Sequence, residues 1–274
     1  MAGIHLIHGI CAVAVLACTA AHADAQAEAK GFVEGSSLTM LNRLVYEQLD
    51  YQRGNTTRTV AGGPRSSEAR EGAYGLMLNY SSGYTRGMVG LGLDALAVGG
   101  INLGSDDDSV RSNPRYIAKD GNQLKDSFGR AGAALKLRMS STELKWGELR
   151  TKNPIFHSSD TRLLPETNRG WQITSSDIPT LSLQAGRFTK WSDRNARKNG
   201  GDLLANYSGV NADSFTFAGG NWATPIQGLS VSGYWGQYED AWNTWYLGGF
   251  YKRAVADKQS LSLSLNLYRN TDTG

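Results

Sequence analysis

The chain has 274 residues, a formal charge of +3 and a mean hydropathy of −0.38, with 33 glycines. Its acidic and basic residues are interspersed rather than blocked, and so mild a balance argues against a nucleic-acid partner. Both cysteines, Cys11 and Cys18, and three of the four histidines, His5, His8 and His22, lie in the first 23 residues. If that segment is removed, disulfides, thiolate sites and multi-histidine zinc sites are excluded, and no cofactor or metal is expected.

Residues 1–23 contain no Lys, Arg, Asp or Glu. Ile10 to Ala17 is a short apolar core, and Ala21-His22-Ala23 follows as a small-x-small cleavage signal. The segment reads as a secretory signal peptide, too short to span a bilayer as a helix. A lipoprotein signal at Cys18, after Val15-Leu16-Ala17, competes with it.

From residue 24 onward no run is long and apolar enough for a membrane helix; what recurs is period-two alternation. Tyr74, Leu76, Leu78 and Tyr80 alternate with Ala73, Gly75, Met77, Asn79 and Ser81, and Ser82-Gly83 reads as a turn. Val89, Leu91, Leu93, Ala95 and Ala97 alternate with Gly90, Gly92 and Asp94. Ala131, Ala133, Leu135, Leu137 and Met139 alternate with Arg130, Gly132, Ala134, Lys136 and Arg138; after Ser140-Ser141, Leu144 and Trp146 alternate with Glu143, Lys145 and Gly147. Leu181 and Leu183, Phe215 and Phe217, and Leu229 and Val231 continue the pattern, followed by an aromatic cluster of Tyr234, Trp235, Tyr238, Trp242, Trp245 and Tyr246. Leu261, Leu263, Leu265 and Leu267 close the series.

The alternation predicts about eleven strands of roughly 8 to 15 residues, starting near residues 37, 70, 86, 128, 142, 169, 180, 213, 228, 242 and 259. Short turns alternate with long polar connections at 53–69, 100–127, 152–168 and 190–212. Strand length near that needed to cross a bilayer, aromatics near strand ends and a face mixing glycine with charge favour an all-β, antiparallel transmembrane barrel over a soluble sandwich. In lipid every backbone polar group must be paired, so such strands close into a barrel.

At these motifs the chain resembles the OprD (porin D) family of substrate-specific outer-membrane channels. The matching stretches are Lys30-Gly31-Phe32-Val33-Glu34, Gly90-Leu91-Gly92-Leu93-Asp94-Ala95, Thr142-Glu143-Leu144-Lys145-Trp146-Gly147-Glu148, Arg162-Leu163-Leu164-Pro165-Glu166-Thr167, Ala185-Gly186-Arg187, Phe217-Ala218-Gly219-Gly220 and Tyr268-Arg269. The resemblance implies a monomeric barrel of about eighteen strands in the outer membrane that takes up small carboxylate-bearing solutes such as amino acids or aromatic acids. It also implies an infolded constriction loop, matched by Arg162, Leu163, Leu164, Pro165, Glu166 and Thr167, and a lumen ladder of basic residues, matched by Arg130, Lys136, Arg138 and Lys145. Arg43 in the first strand alternates less cleanly but is a further ladder candidate. The alternation agrees, because Lys136 and Arg138 lie opposite an apolar row, and a cation facing lipid at the midplane costs about 2–4 kcal/mol. These cations either touch solute or pair with lumen acids such as Glu143 and Asp94. Arg187 shares the parity of Leu181 and Leu183, which places it at the rim or beyond a bulge.

A non-specific diffusion porin and a barrel hydrolase are the competing functions. The hydrolase would need His157, which sits beside Ser158, Ser159 and Asp160 rather than being met by separate partners, and no Gly-x-Ser-x-Gly elbow occurs. No enzymatic activity is expected. Gly62-Gly63 and Gly99-Gly100 lack a following Lys-Ser or Lys-Thr, and Asp106-Asp107-Asp108 lacks calcium-loop spacing. The chain ends Asp272-Thr273-Gly274, without the aromatic strand end of the resembled family, and eleven is an odd strand number. Residues 24–274 are therefore expected to be the N-terminal part of the barrel, an open piece truncated before closure. Such a piece cannot insert by itself, since both free edges would be unpaired in lipid.

Overall fold

The computed structural model describes residues 24–53, 56–62, 65–205 and 209–273. The expected signal peptide lies outside the described residues. Eleven antiparallel strands form one sheet in the order β1 (Ser37–Asp50), β2 (Glu68–Ser81), β3 (Val89–Asn102), β6 (Ser127–Met139), β7 (Thr142–Leu149), β8 (Thr167–Ser175), β9 (Leu181–Ser192), β12 (Phe215–Ala223), β13 (Leu229–Tyr238), β14 (Trp242–Ala256) and β15 (Gln259–Asp272). Every start falls within three residues of its expected position. Two small hairpins, β4 (Lys119–Asp120) with β5 (Gln123–Leu124) and β10 (Leu203–Ala205) with β11 (Val210–Ala212), stand inside long connections and have no counterpart in the alternation. Among the described residues no helix is long and apolar enough to cross a membrane, which says nothing of strands.

The two faces of the sheet follow from the period of two. On one face Leu91, Leu135, Trp146 and Leu247 are more than half exposed, at 54, 58, 62 and 53 %. The other face carries the buried groups. Ala73, Met77, Val98, Phe128, Leu163 and Leu164 form one cluster, with Ile117 and Ala118; Phe156, Phe188, Phe215, Phe217, Tyr238 and Leu203 form a second. The core is thus built by connections folded into the concave face, and the apolar outer face is uncovered. So large an exposed apolar surface marks contact with lipid.

Three expectations need correction. Ser82-Gly83 does not reverse the chain: Ser82 N donates to Leu93 O and Thr85 N to Leu91 O, so the ladder continues and the reversal falls at 86–88, with Gly87 at φ +118°. The aromatics near strand ends, expected to suit a membrane interface, do not all face lipid. Register sets Trp235 beside Trp245 on the outer face, whereas Tyr234, Tyr238, Trp242 and Tyr246 share the inner face with Phe215 and Phe217. The alternation of short and long connections also breaks once, where 239–241 joins β13 to β14 on the long-loop side.

Candidate functional site

The basic residues expected to form a ladder sit on the inner face, where parity puts them. On β6, Arg130, Lys136 and Arg138 face inward, and on β7 Lys145 and Glu143 stand beside Lys136 and Arg138 respectively. Arg43 on β1 also faces inward, opposite Gly75. Their partners differ. Lys136 is buried; its Nζ donates to Asp94 Oδ1 (2.7 Å), Ser81 Oγ (2.7 Å) and Ser82 O (2.8 Å) and lies 4.9 Å from the Tyr84 ring centroid. Lys145 Nζ bridges Asp94 Oδ2 (2.8 Å) and Glu143 Oε1 (3.2 Å). Tyr84 Oη donates to the other oxygen of Glu143. Arg130 is buried, donating to the carbonyls of Pro165 and Ala196. Arg138 stacks its guanidinium 3.9 Å over the Tyr84 ring and donates from Nε to Gln26 Oε1 at 3.1 Å. Asp94, Glu143, Lys145, Glu148, Arg150 and Gln172 line a cavity of about 390 Å³ beside this ladder.

Glu148 breaks the alternation of β7. Gly147 adopts φ +138°, open to glycine alone, and Glu148 then faces inward against Gly132. Its carboxylate accepts from Thr167 Oγ1 (2.6 Å), Ser192 Oγ (3.4 Å) and Arg169 Nε (3.3 Å). Thr167, expected in the constriction loop, is the first residue of β8 and fully buried.

The connection 150–166 folds into the lumen. At one end Phe156 stacks on Phe215, ring centroids 4.4 Å apart, and contacts Phe188 at 5.2 Å. At the other end Leu163 and Leu164 pack on the β2–β3–β6 wall. Gly75 and Gly100 leave room for Leu163: a Cβ on either would lie 2.8 and 3.1 Å from it. Asp160 ties the loop down, with Oδ1 2.5 Å from Arg43 Nη1 and Oδ2 2.8 Å from Arg150 Nη2, and Arg43 also donates to Arg162 O at 2.8 Å. Glu166 accepts from Ser159 N (2.9 Å) and pairs with Arg194 (3.2 Å); burial nevertheless pushes its carboxyl above the ordinary value.

Arg162 is the exception in this loop. It is half-buried, and among the described residues it and Arg138 are the accessible cations of the expected set without a carboxylate at salt-bridge distance. Burial lowers its pKa and the neighbouring charges of Arg194, Arg115 and Arg111 lower it further, against the opposing charge of Asp193. A guanidinium so placed is stabilised by an arriving anion, because the anion offsets desolvation and cation repulsion together.

Above the constriction, the connection 103–126 is pinned by two acids absent from the expected set. Glu71 is buried and accepts the backbone N–H groups of Arg115, Tyr116 and Ile117 at 2.9, 2.6 and 2.8 Å. Glu47 holds Arg111 and Arg115 at 2.5 and 2.6 Å. Further along the wall Tyr234, Tyr246 and Tyr268 lie side by side on β13, β14 and β15, with centroids 6.2 and 4.9 Å apart. Arg187 faces outward beside Trp171 and pairs with Glu239 at 3.2 Å, close to a register shift at Arg169/Gly170. His157 is exposed, while Ser158 is buried and bonded to Thr151 and Asn168, so no triad forms. Among the described residues no cluster of His, Cys, Asp or Glu could hold a metal.

An antiparallel sheet with a lipid-type outer face, a charged inner face and an infolded loop defines the wall of an outer-membrane β-barrel channel. The family model for "outer membrane porin, OprD family" matches residues 30–274, and the chain belongs to that family. It is 37 % identical over 249 residues to Porin D of Pseudomonas aeruginosa, covering 91 % of this chain and 53 % of that protein. To the porin-like protein GalP of Pseudomonas putida it is 34 % identical over 227 residues, covering 83 % and 53 %. The crystal structure of Pseudomonas aeruginosa OpdK with vanillate superposes with a TM-score of 0.76 at 34 % identity, over 89 % of this chain and 60 % of that one. The chain spans about half the length of the curated relatives it matches. Its relatives are porins, and membership sets aside the hydrolase reading.

Proposed function

We propose that the complete channel built on this wall acts as a monomeric, substrate-specific pore for small carboxylate-bearing solutes, amino acids or aromatic and other organic acids. The observation that carries the reading is Arg162, a guanidinium on the infolded loop with no carboxylate at salt-bridge distance among the described residues, set amid the charges of Arg194, Asp193, Arg115 and Arg111. A solute carboxylate accepts two parallel hydrogen bonds there. From the loop it passes Lys145, whose charge is shared with Asp94 and Glu143, and reaches Arg138 towards the short turns. Successive weak cationic sites hold the anion without trapping it. The inward row Tyr234, Tyr246 and Tyr268 favours solutes with a planar body.

Uptake by the complete channel in liposomes tests the proposal. Uptake of an aryl carboxylate is expected to saturate, and Arg162→Ala to raise the half-saturating concentration about 10- to 100-fold, the value of one charge-assisted bidentate contact. Flux linear in concentration and indifferent to solute charge would instead identify a non-specific diffusion porin.

A further inference from the structure

The segment 24–36 precedes the first strand, yet it is built into the short-turn end of the lumen. Gln26 is 2 % exposed although it is polar. Its backbone N donates to Ser140 O in the β6–β7 turn (3.1 Å), and its Nε2 donates to Thr85 O (2.8 Å) and Gly87 O (3.1 Å) in the β2–β3 connection. Its Oε1 accepts from Arg138 Nε (3.1 Å). All the hydrogen-bonding capacity of the amide is engaged except one lone pair. Further along, Gly83 N donates to Phe32 O (2.8 Å) and Arg86 Nη2 to Lys30 O (3.0 Å). Gly83 and Gly35 let the two backbones touch: a Cβ on Gly35 would lie 2.8 Å from Gly31 O and 2.9 Å from Gly83 Cα, and one on Gly83 would overlap Gly31 O. Gly90 makes the matching space for the Gln26 amide, which a Cβ there would strike.

From this geometry we infer that Gln26 is a positioning residue for solute passage: it fixes Arg138 over the Tyr84 ring and so sets the cation at the short-turn mouth. The inference rests on the carboxylate reading above. Among the described residues Arg138 has no carboxylate at salt-bridge distance, Asp24 acting on it only from farther off, and an arginine side chain gives up much rotamer freedom when held. One ring face and one amide oxygen supply its fixed direction. The same Gln26 bonds splice segment 24–36 to two turns more than fifty residues away, so the position of the charge is tied to the seating of that segment.

The experiment is a double-mutant cycle in the complete channel, read as anion-over-cation permeability from reversal potentials in planar bilayers, with benzoate as the permeant anion. Gln26→Met keeps the volume and removes the bonds; Arg138→Gln removes the charge. Gln26→Met is expected to lower the permeability ratio about two- to tenfold, in the same direction as Arg138→Gln, and to have no further effect once Arg138 is Gln. Gly90→Ala, which displaces the amide from the other side, is expected to reproduce Gln26→Met and serves if that variant forms no channels. The inference is overturned if Gln26→Met and Gly90→Ala conduct as wild type while Arg138→Gln shifts the ratio. It is equally overturned if Gln26→Met acts alike in both backgrounds, which would mean a change of bore. An inert Arg138→Gln with Arg162→Ala still impairing uptake sinks this inference alone; failure of both removes the carboxylate reading itself.

Discussion

Lys136 and Arg138 stand two residues apart on one face of β6 and have different fates. The lysine is buried against Asp94 and two serines, whereas the arginine lies over a tyrosine ring with no salt bridge among the described residues. Alternation located both, because parity is a local property. It could not rank them, since Asp94, Ser81 and Gln26 arrive from segments 42, 55 and 112 residues away. The same limit hid Arg150 and Arg194, which lie in polar connections without a period to read. Asp160 shows the electrostatics of such a residue at work. Burial alone would raise its carboxyl, but Arg43 and Arg150 outweigh that and hold it below its ordinary 3.8. A depressed pKa means that folding favours the ionised form, so the stabilisation is full above the unfolded value and is lost as pH falls through the lower folded one. The Arg43–Asp160–Arg150 tie is therefore expected to hold at neutral pH and to release as pH falls below about 3.8, with an acid step in channel conductance. Glu166, shifted the other way by burial, contributes most in acid. Asp160→Asn should abolish the acid step in a pH titration of conductance; persistence of the step in that variant would assign it elsewhere.

At the level of elements, strands were legible and connections were not. Eleven alternating runs predicted eleven strands, because each strand has lipid on one side and lumen on the other and its sequence records both. The aromatic cluster held the same information: odd-numbered Trp235 and Trp245 face out, and even-numbered Tyr234, Tyr238, Trp242 and Tyr246 face in, a division that parity alone contains. The connections instead acquire shape from what they meet. Glu71, a buried acid on β2, shapes 103–126 by accepting three successive N–H groups, which otherwise have no strand partner. Replacing it with alanine leaves those donors unpaired, at about 1–3 kcal/mol for a buried group. Glu71→Ala should thus speed hydrogen exchange at Arg115, Tyr116 and Ile117 by about tenfold or more, with exchange in β2 and β3 little changed. Acceleration spread evenly over the whole sheet would show that Glu71 supports the wall rather than the connection.

The sheet is inverted relative to a soluble one, with an uncovered apolar face outside and charges alongside two buried apolar clusters inside. That inversion makes the two faces respond oppositely to the same substitution. Leu135→Arg, on the outer face, is expected to lose about 2–4 kcal/mol of folding stability in bilayers, whereas Asn79→Arg, on the inner face of β2, should be tolerated. Equilibrium unfolding of both variants in lipid checks this, and equal tolerance would contradict the face assignment. The infolded loop carries the inversion into the interior, and its seating is shared between distant parts of the chain. Leu163 occupies hollows that exist because Gly75 on β2 and Gly100 on β3 have no side chains. A constriction loop is therefore not a portable cassette. A chimera that transplants 150–166 into another barrel transfers only half of a lock unless the two vacancies in the recipient's wall travel with it.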